Sequence, residues 1–341
     1  MYEQLDIFSA IKQPYKITKP IRLIELFAGV GSQAMAMKRL GANFEHYRVV
    51  EYEKYAIKSY NAIHGTDFEP MDITKIIGSD LGISDTDKYC YIMTYSFPCQ
   101  DLSVAGKQKG MTKGSGTRSG LLWEVERLLN EVENLPQVLL MENVPQVHGK
   151  KNMEDFQRWI DFLESKGYSN YWQDLNAKNY GVAQNRNRCF MVSILGDYIF
   201  KFPEPIELKK VMKDYLEDEV DEKTKNYFGN KYLKTGTLNK AFEMSMAKLD
   251  GEISLCLTAR SYASANTQYV TRKDGTRTIV SGKEVFRLMD FSDEDFEKAA
   301  DVNSNTQLYK QAGNSIVVNV LVAILGQLLP GKENVYKELS E

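Results

Sequence analysis

A glycine-rich turn between an apolar run and a helical pattern is the feature that most constrains the fold of this chain. Residues 21–27 form a short apolar run typical of a buried strand, and Gly29 and Gly31 follow at once. Residues 32–40 then show helical spacing, with Gly41 placed to end the helix. A strand, a glycine turn and a helix in this order begin many open α/β sheets, where the turn lets the backbone approach a ligand closely.

The same alternation continues through the first half of the chain. The pattern predicts strands at 48–51, 89–95 and 138–141, and helices at 54–63, 120–133 and 152–166. Strands that alternate with helices favour a parallel sheet covered on both faces, which is the doubly wound α/β class.

The chain of 341 residues is long enough for one large and one small domain. After residue 195 the alternation is replaced by a stretch without clear periodicity. We therefore predict an N-terminal extension over 1–20, a large domain formed by 21–195 together with 296–341, and a smaller domain over 196–295. Asn319 and Gln327 interrupt the apolar stretch 316–329, so we expect a buried helix of the large domain there and not a membrane span.

Cysteine and histidine placement argues against a metal site or a disulfide framework. The four cysteines form no C-x-x-C pair and the three histidines are scattered, so we expect no metal ion and reduced cysteines, as is usual in the cytoplasm. Residues 1–20 lack the apolar core of a signal peptide. Because the net charge is −3, any nucleic-acid footprint is expected to be local.

The glycine turn is a candidate cofactor site. Gly29, Gly31 and Ala34 fit G-x-G-x-x-A, and Glu51 lies twenty residues beyond Gly31 at the end of the next predicted strand. A carboxylate there can accept hydrogen bonds from ribose hydroxyls, and Asp72 could meet an adenine amino group. The pattern alone fits a dinucleotide or S-adenosylmethionine, and a tight turn with solvated acids is the simpler alternative.

A thiol and a carboxyl follow two neighbouring predicted strands. Cys99 comes directly after Pro98, and Glu142 directly follows the predicted strand at 138–141. A thiolate that adds to C6 of a pyrimidine makes C5 nucleophilic, and a carboxyl at N3 stabilises the charge that develops there. The pair predicts group transfer to a heteroaromatic base. An inert buried thiol is expected for the remaining cysteines, which are Cys90, Cys189 and Cys256.

Six collinear segments carry a family resemblance. They are ELFAGVG at 25–31, FPCQ at 97–100, SVAGKQKG at 103–110, MENV at 141–144, QNRNR at 184–188 and QAGNS at 311–315. With these motifs the chain resembles the DNA cytosine-5 methyltransferases of bacterial restriction–modification systems. The resemblance implies a Rossmann-like, S-adenosylmethionine-dependent methyltransferase domain and a smaller target-recognition domain that faces it across a DNA cleft.

The resemblance also implies roles for single residues. Cys99 is the expected nucleophile at C6, Glu142 the group at N3, and Arg188 with Arg186 beside it the holder of the cytosine carbonyl and a nearby phosphate. No metal ion takes part, and S-adenosylhomocysteine is the product. The residues expected to line the S-adenosylmethionine pocket are Phe27, Gly29, Gly31, Glu51, Tyr52, Asp72, Ile73, Pro98, Asn314 and Ser315.

A few positions depart from the family pattern. Glu25 stands where Asp is usual, Ser32 replaces a glycine, and Tyr52 stands where a larger aromatic residue is frequent. The usual Arg-Glu-Arg is Arg-Asn-Arg here, so Asn187 removes a carboxylate that we expect near the base pocket.

Cytosine C5 cannot be attacked inside a stacked duplex, so the base is expected to rotate out of the helix. Residues 106–118 hold four glycines, four cations and no acid, which favours a loop that closes over the base, with a solvated loop as the alternative. Candidate DNA contacts are Ser103, Lys107, Lys109, Arg118 and Arg260. Weaker candidates are Arg272, Lys273, Arg277 and Lys283. Five lysines within 223–240 could line the DNA in the target-recognition segment, which we place within 201–285.

Three other functions remain open on the sequence. One is an RNA cytosine methyltransferase of the same fold, although the short signature usual in the tRNA-modifying branch is absent after Cys99 and Gln100. The others are a DNA-binding regulator without catalysis and a nicotinamide-dependent dehydrogenase, which leaves five of the six motifs unexplained. The expected partner is duplex DNA, with a cognate restriction endonuclease that need not touch this chain. We expect a cytoplasmic monomer, encoded by a bacterium or a phage.

Overall fold

The computed structural model describes residues 12–102, 109–225, 252–260 and 269–340. Its strands are β1 (Gln13–Pro14), β2 (Ile21–Leu26), β3 (Phe44–Val50), β4 (Cys90–Tyr95), β5 (Val138–Asn143), β6 (Tyr168–Asn176), β7 (Asn187–Leu195), β8 (Tyr198–Ile199), β9 (Tyr269–Thr271) and β10 (Arg277–Ile279). Its α-helices are Ser32–Arg39, Lys54–His64, Leu122–Glu131, Met153–Ser165, Glu222–Lys225, Gly282–Leu288, Asp293–Val302, Asn305–Asn314, Val318–Gly326 and Val335–Glu338.

Six strands form the central sheet, in the order β3-β2-β4-β5-β7-β6. Strands β3, β2, β4 and β5 are parallel, as expected, whereas β7 runs antiparallel to both of its neighbours. Strands β6 and β7 were not among the strands predicted from the sequence. The connection between β6 and β7 spans only 177–186, which is too short for the crossover that parallel neighbours need.

Alternate residues of the strands point into two separate apolar cores, one on each face of the sheet. Leu23 and Ile92 pack into the core that also holds the helices Ser32–Arg39 and Val318–Gly326. Ile24 and Met93 pack into the core that holds Leu122–Glu131 and Met153–Ser165. Helices thus cover both faces, and the doubly wound α/β class is confirmed.

The C-terminal part of the chain packs back onto the first half. The helix Val318–Gly326 is buried along its whole length and packs against Ser32–Arg39. By length and composition the segment Asn305–Gly326 could span a membrane, but 89% of its apolar window lies buried inside the protein. It is therefore a core element, and non-helical residues 315–317 divide it.

The second half of the expected N-terminal extension is also attached to the core. Strand β1 pairs with β8, and the backbone N–H of Ile17, which is buried, donates to the carbonyl of Leu328 (2.8 Å). Residues 1–11 lie outside the described residues.

Candidate active site

A cavity of about 740 Å³ opens at the carboxyl ends of the parallel strands. Open α/β sheets bind their ligands at this edge. Because β7 is antiparallel, it begins at this edge, and its orientation brings Arg186 and Arg188 to the cavity. The lining includes the predicted residues Phe27, Gly29, Glu51, Tyr52, Asp72, Ile73, Pro98, Cys99, Arg118, Glu142, Arg186, Arg188, Asn314 and Ser315.

The two glycines of the turn have different surroundings. Gly29 lines the cavity at φ +58°, and a Cβ added there would meet no atom within 4 Å. Gly31 lies outside the lining, at φ +83°, and a Cβ there would come within 2.3 Å of His64 Nε2. The structure thus makes Gly31 a close-packing position and not a residue of the cavity wall.

The carboxylate of Glu51 braces the turn. One oxygen accepts from the backbone N–H of Gly29 (2.9 Å) and the other from that of Glu53 (2.8 Å). Burial raises the pKa of Glu51 despite these two bonds. Asp72 instead caps its own turn, because Oδ1 accepts from the backbone and hydroxyl of Thr74 (3.0 and 2.8 Å).

Glu25 supports the turn from beneath and is fully buried. Its Oε1 accepts from the backbone N–H of Ala34 (3.3 Å), and the Tyr60 hydroxyl donates to Oε2 (2.5 Å). The same hydroxyl lies 2.7 Å from His46 Nδ1. Burial raises the pKa of Glu25 to about 7. The longer side chain at this position therefore remains anchored inside the fold.

Two hydrogen bonds fix the loop that carries Cys99. Asn143 Nδ2 donates to the carbonyl of Phe97 (2.9 Å), and Ser119 Oγ donates to the carbonyl of Pro98 (2.6 Å). The first bond joins the cysteine loop to the end of β5, directly beside Glu142. Asn143 belongs to a motif seen in the sequence, whereas no sequence signal pointed to Ser119.

The acid is buried and the thiol is partly buried, and both lie near the guanidiniums of Arg188 and Arg186. Arg188 Nε lies 3.2 Å from Glu142 Oε1. Burial raises the pKa of Glu142, and the charges of Arg188 and Arg186 act against that shift. Burial, followed by the charge of Glu142, also raises the pKa of the Cys99 thiol, while the same two arginines favour the thiolate. Burial thus favours the protonated form of both groups, and the two arginines favour the ionised form of both.

Arg186 binds three carbonyls from two separate parts of the chain. Its guanidinium donates to the carbonyls of Leu257 (2.7 Å), Gly313 (3.1 Å) and Ser315 (2.6 Å). The guanidinium of Arg188, in contrast, pairs with the Glu142 carboxylate. Asn187 lies between them on the opposite side of the strand and is exposed, so the expectation that it removes a carboxylate from the base pocket was wrong.

The candidate DNA contacts divide into three groups. Ser103 and Lys107 lie outside the described residues, as does most of 223–240. Lys109, Arg118 and Arg260 are exposed. Among the weaker candidates Arg272 is buried, Lys283 is partly buried, and Lys273 and Arg277 are exposed.

Three of these weaker candidates form ion pairs with acidic residues of the same chain. Arg272 is buried and pairs with Glu284, so its proposed contact with DNA was wrong. Lys273 pairs with Asp218, and Lys283 with Glu297 (3.1 Å).

One group of potential metal ligands occurs among the described residues, formed by His148, Asp174 and Cys189, whose ligand atoms lie within 4.8 Å of one another. His148 Nε2 and Asp174 Oδ1 already form a hydrogen bond of 2.9 Å. The group lies outside the cavity lining.

Comparison with known proteins places the chain in a family. The family described as C-5 cytosine-specific DNA methylase matches residues 21–329. Type II methyltransferase M2.ScrFI of Lactococcus lactis subsp. cremoris is 34% identical over 90% of this chain and 99% of its own. Orphan methyltransferase M.SssI of Spiroplasma monobiae is 32% identical over 91% of this chain and 98% of its own.

Solved structures give the same fold. The S. pombe Dnmt2 methyltransferase superposes with a TM-score of 0.69 at 21% identity, covering 90% of this chain and 98% of that one. The Entamoeba histolytica methyltransferase EhMeth gives 0.70 at 17% identity, covering 95% and 100%. The family match extends over most of the chain and includes every motif around the cavity. This chain is therefore a member of the C-5 cytosine-specific DNA methylase family, an S-adenosylmethionine-dependent DNA methyltransferase.

Proposed function

We propose that the protein methylates C5 of a cytosine within a specific duplex DNA sequence, after that base has rotated out of the helix, through a covalent bond from Cys99 to C6. The observation that carries the proposal is the convergence of Cys99, Glu142 and Arg188 on the cavity that the glycine turn also lines. A nucleophile, an acid and a cofactor turn thus face one space, which is what transfer of a methyl group to a ring requires.

S-adenosylmethionine fits the residues at the other end of this cavity. The volume of about 740 Å³ is within the range of small-molecule sites, and the open space beside Gly29 allows close approach of a ligand. Glu51 has oxygens at the cavity for ribose hydroxyls, and the ring of Tyr52, 76% exposed, stands at the rim. When bound, S-adenosylmethionine supplies an electrophilic methyl group and leaves as S-adenosylhomocysteine. The proposed reaction uses no metal ion.

Three side chains perform the proposed chemistry. Cys99 Sγ adds to C6, which breaks the aromaticity of the ring and makes C5 nucleophilic. Glu142 gives a proton to N3 as charge develops there, and its burial favours the protonated form that this needs. Arg188 holds the carbonyl oxygen. After transfer the C5 proton passes to solvent, the C6–sulfur bond breaks and N3 returns its proton to Glu142, which restores the aromatic ring, the Cys99 thiolate and the acid.

DNA is proposed to reach the cavity across its cationic rim. Arg118 is exposed and lines the cavity, and Lys109 is exposed nearby in sequence. We propose that 21–195 with 296–341 form the catalytic domain and that 196–295 form the target-recognition domain. The helix Gly282–Leu288 of the latter packs against Asn305–Asn314 of the former, which would couple the two across the site.

The proposed biological setting follows from the substrate. We propose a monomer that acts in the cytoplasm of a bacterium, encoded by the bacterium or by a phage. A restriction endonuclease that cuts the same sequence is a proposed companion, without direct contact.

Bisulfite sequencing of DNA from cells that express the protein tests this function. We expect protected cytosines at one recurrent sequence, and none in cells that express Cys99→Ser. Protection of tRNA instead of DNA would favour the RNA methyltransferase of the same fold. Sequence-specific DNA binding without protection would favour a regulator and contradict the proposal.

A further inference from the structure

A second sulfur lies beside the two arginines of the active site. Cys256 Sγ is 3.8 Å from Arg186 Nη1 and 3.7 Å from Arg188 Nη2. The sequence analysis expected an inert buried thiol here, but the Cys256 side chain is only partly buried and contacts both guanidiniums. The carbonyl of Leu257, 3.7 Å from the sulfur, is the acceptor available when the thiol is neutral.

The charges around this sulfur favour a thiolate. Arg186 and Arg188 contribute two positive charges from the start of β7, and Glu142 at the end of β5 is the carboxylate that faces them. Burial opposes ionisation of Cys256, but the two guanidiniums outweigh burial and bring its pKa below the ordinary value. Cys99, on the neighbouring loop, has a raised pKa instead. The more acidic thiol of the site is therefore not the proposed nucleophile.

We propose that Cys256 is an anionic positioning residue, whose sulfur holds the guanidiniums of Arg186 and Arg188 so that Arg188 faces the base while Glu142 carries a proton. This proposal rests on the proposed function. If Glu142 is protonated when it meets N3, it no longer neutralises the arginine pair. Cys256 then supplies the negative charge that the pair needs. In the family pattern an acid stands at position 187. Asn187 is exposed on the other side of the strand, so a side chain at this position does not supply negative charge to the two arginines.

Removal of the Cys256 thiolate is expected to lower the pKa of Glu142. Without the thiolate, Glu142 faces two uncompensated guanidiniums, which stabilise its charged form and lower its pKa. The proton for N3 is then lost at a lower pH, so the alkaline limb of the rate profile moves towards acid. We therefore expect the methyl-transfer rate of Cys256→Ser to fall by about tenfold above neutral pH, which corresponds to about 1.4 kcal/mol in the activation barrier.

The thiolate can be measured without turnover. We would titrate the ultraviolet absorbance of thiolate in the intact wild-type protein and in Cys256→Ser, with Cys90→Ser as the matched control. The expected result is a thiolate that titrates below the ordinary cysteine range, is lost in Cys256→Ser and is retained in Cys90→Ser. If the thiolate absorbance that is lost in Cys256→Ser titrates at or above the ordinary cysteine range in the wild type, the proposal is overturned.

Single-turnover methylation across pH then separates charge from packing. We expect Cys256→Ser to shift the alkaline limb towards acid, and Cys256→Asp, which restores a negative charge, to move it back. A Cys256→Ser profile that coincides with the wild type would also overturn the proposal. Failure of the wild type to methylate any DNA would instead contradict the proposed function and leave the titration result intact.

Discussion

Asn143 donates a hydrogen bond from Nδ2 to the main-chain oxygen of Phe97 at 2.9 Å. This bond joins the loop that carries Cys99 to the end of the strand that carries Glu142. The Asn143 side chain also accepts from the N–H of Val144 (2.9 Å) and is buried. This amide group therefore links the position of the proposed nucleophile directly to that of the proposed acid.

Replacement of that amide is expected to reduce the rate more than the affinity for cofactor. Asn143→Ala leaves the carbonyl of Phe97 without its buried partner, at a cost of about 1–3 kcal/mol, and releases the cysteine loop. Single-turnover methylation, cofactor titration and thermal unfolding would be compared with Asn134→Ala, which removes a longer amide–carbonyl bond (3.4 Å) outside the cavity. A rate equal to that of Asn134→Ala would contradict the proposed coupling.

Substitution of the two glycines of the turn is expected to affect different properties, stability for Gly31 and cofactor binding for Gly29. Gly31→Ala places a Cβ 2.3 Å from His64 Nε2 at a left-handed φ, so we expect a stability loss of about 3 kcal/mol. Gly29→Ala meets no neighbouring atom, so its stability loss should be about 1 kcal/mol, while its Cβ stands in the cavity and weakens S-adenosylmethionine binding. Thermal unfolding with cofactor titration distinguishes them. Equal binding by wild type and Gly29→Ala would exclude Gly29 from the cofactor site.

Glu25 should make stability depend on pH. Burial raises its folded pKa from 4.5 to about 7, so the folded protein favours the neutral acid. The resulting stability is present below pH 4.5 and is lost as the pH rises through about 7, by about 3 kcal/mol in all.

Glu25→Gln removes this titration, so its stability relative to the wild type should increase as the pH rises across that window. Chemical unfolding at several pH values measures it, with Glu45→Gln as the control because Glu45 is half exposed. A stability difference that does not change with pH would contradict the assignment.

Arg118 and Lys113 offer a matched test of the cationic rim. Arg118 is exposed at the cavity, whereas the ammonium of Lys113 is held by Glu126 at 2.6 Å. We expect Arg118→Ala to weaken DNA binding and to reduce the slope of log affinity against log salt by about 0.9. Lys113→Ala should change the slope less. The rim assignment would be abandoned if both variants kept the wild-type slope.

Short-range patterns predicted the elements well because they are properties of neighbouring residues. The helix expected at 54–63 is Lys54–His64, and the strand expected at 21–27 is Ile21–Leu26. Strands β6 and β7 were not predicted, and the local pattern also could not show which way β7 runs in the sheet. The direction matters for the site, since it brings the amino end of β7, with Arg186 and Arg188, to the cavity.

The environments of Cys256 and Arg272 could not be predicted from the sequence because they depend on long-range contacts. Cys256 meets Arg186 across 70 positions of the chain, and nothing in its local sequence indicates that charge. Arg272 looks like a surface cation in the sequence, yet it is buried against Glu284. Phe27, Cys99 and Glu142 were predictable because each stands at or just beyond the carboxyl end of a parallel strand, and the sheet brings those ends together.

The most direct measurement of the central claim is covalent trapping with duplex DNA that contains 5-fluorocytosine. Fluorine at C5 cannot leave as a proton does, so the bond between Cys99 and C6 should persist. With saturating S-adenosylmethionine and a full range of target sequences, we predict a denaturation-resistant protein–DNA adduct whose modified residue, by peptide mass spectrometry, is Cys99. Cys99→Ser should form none. The absence of an adduct with the wild-type protein, or an adduct at another residue, would contradict the account.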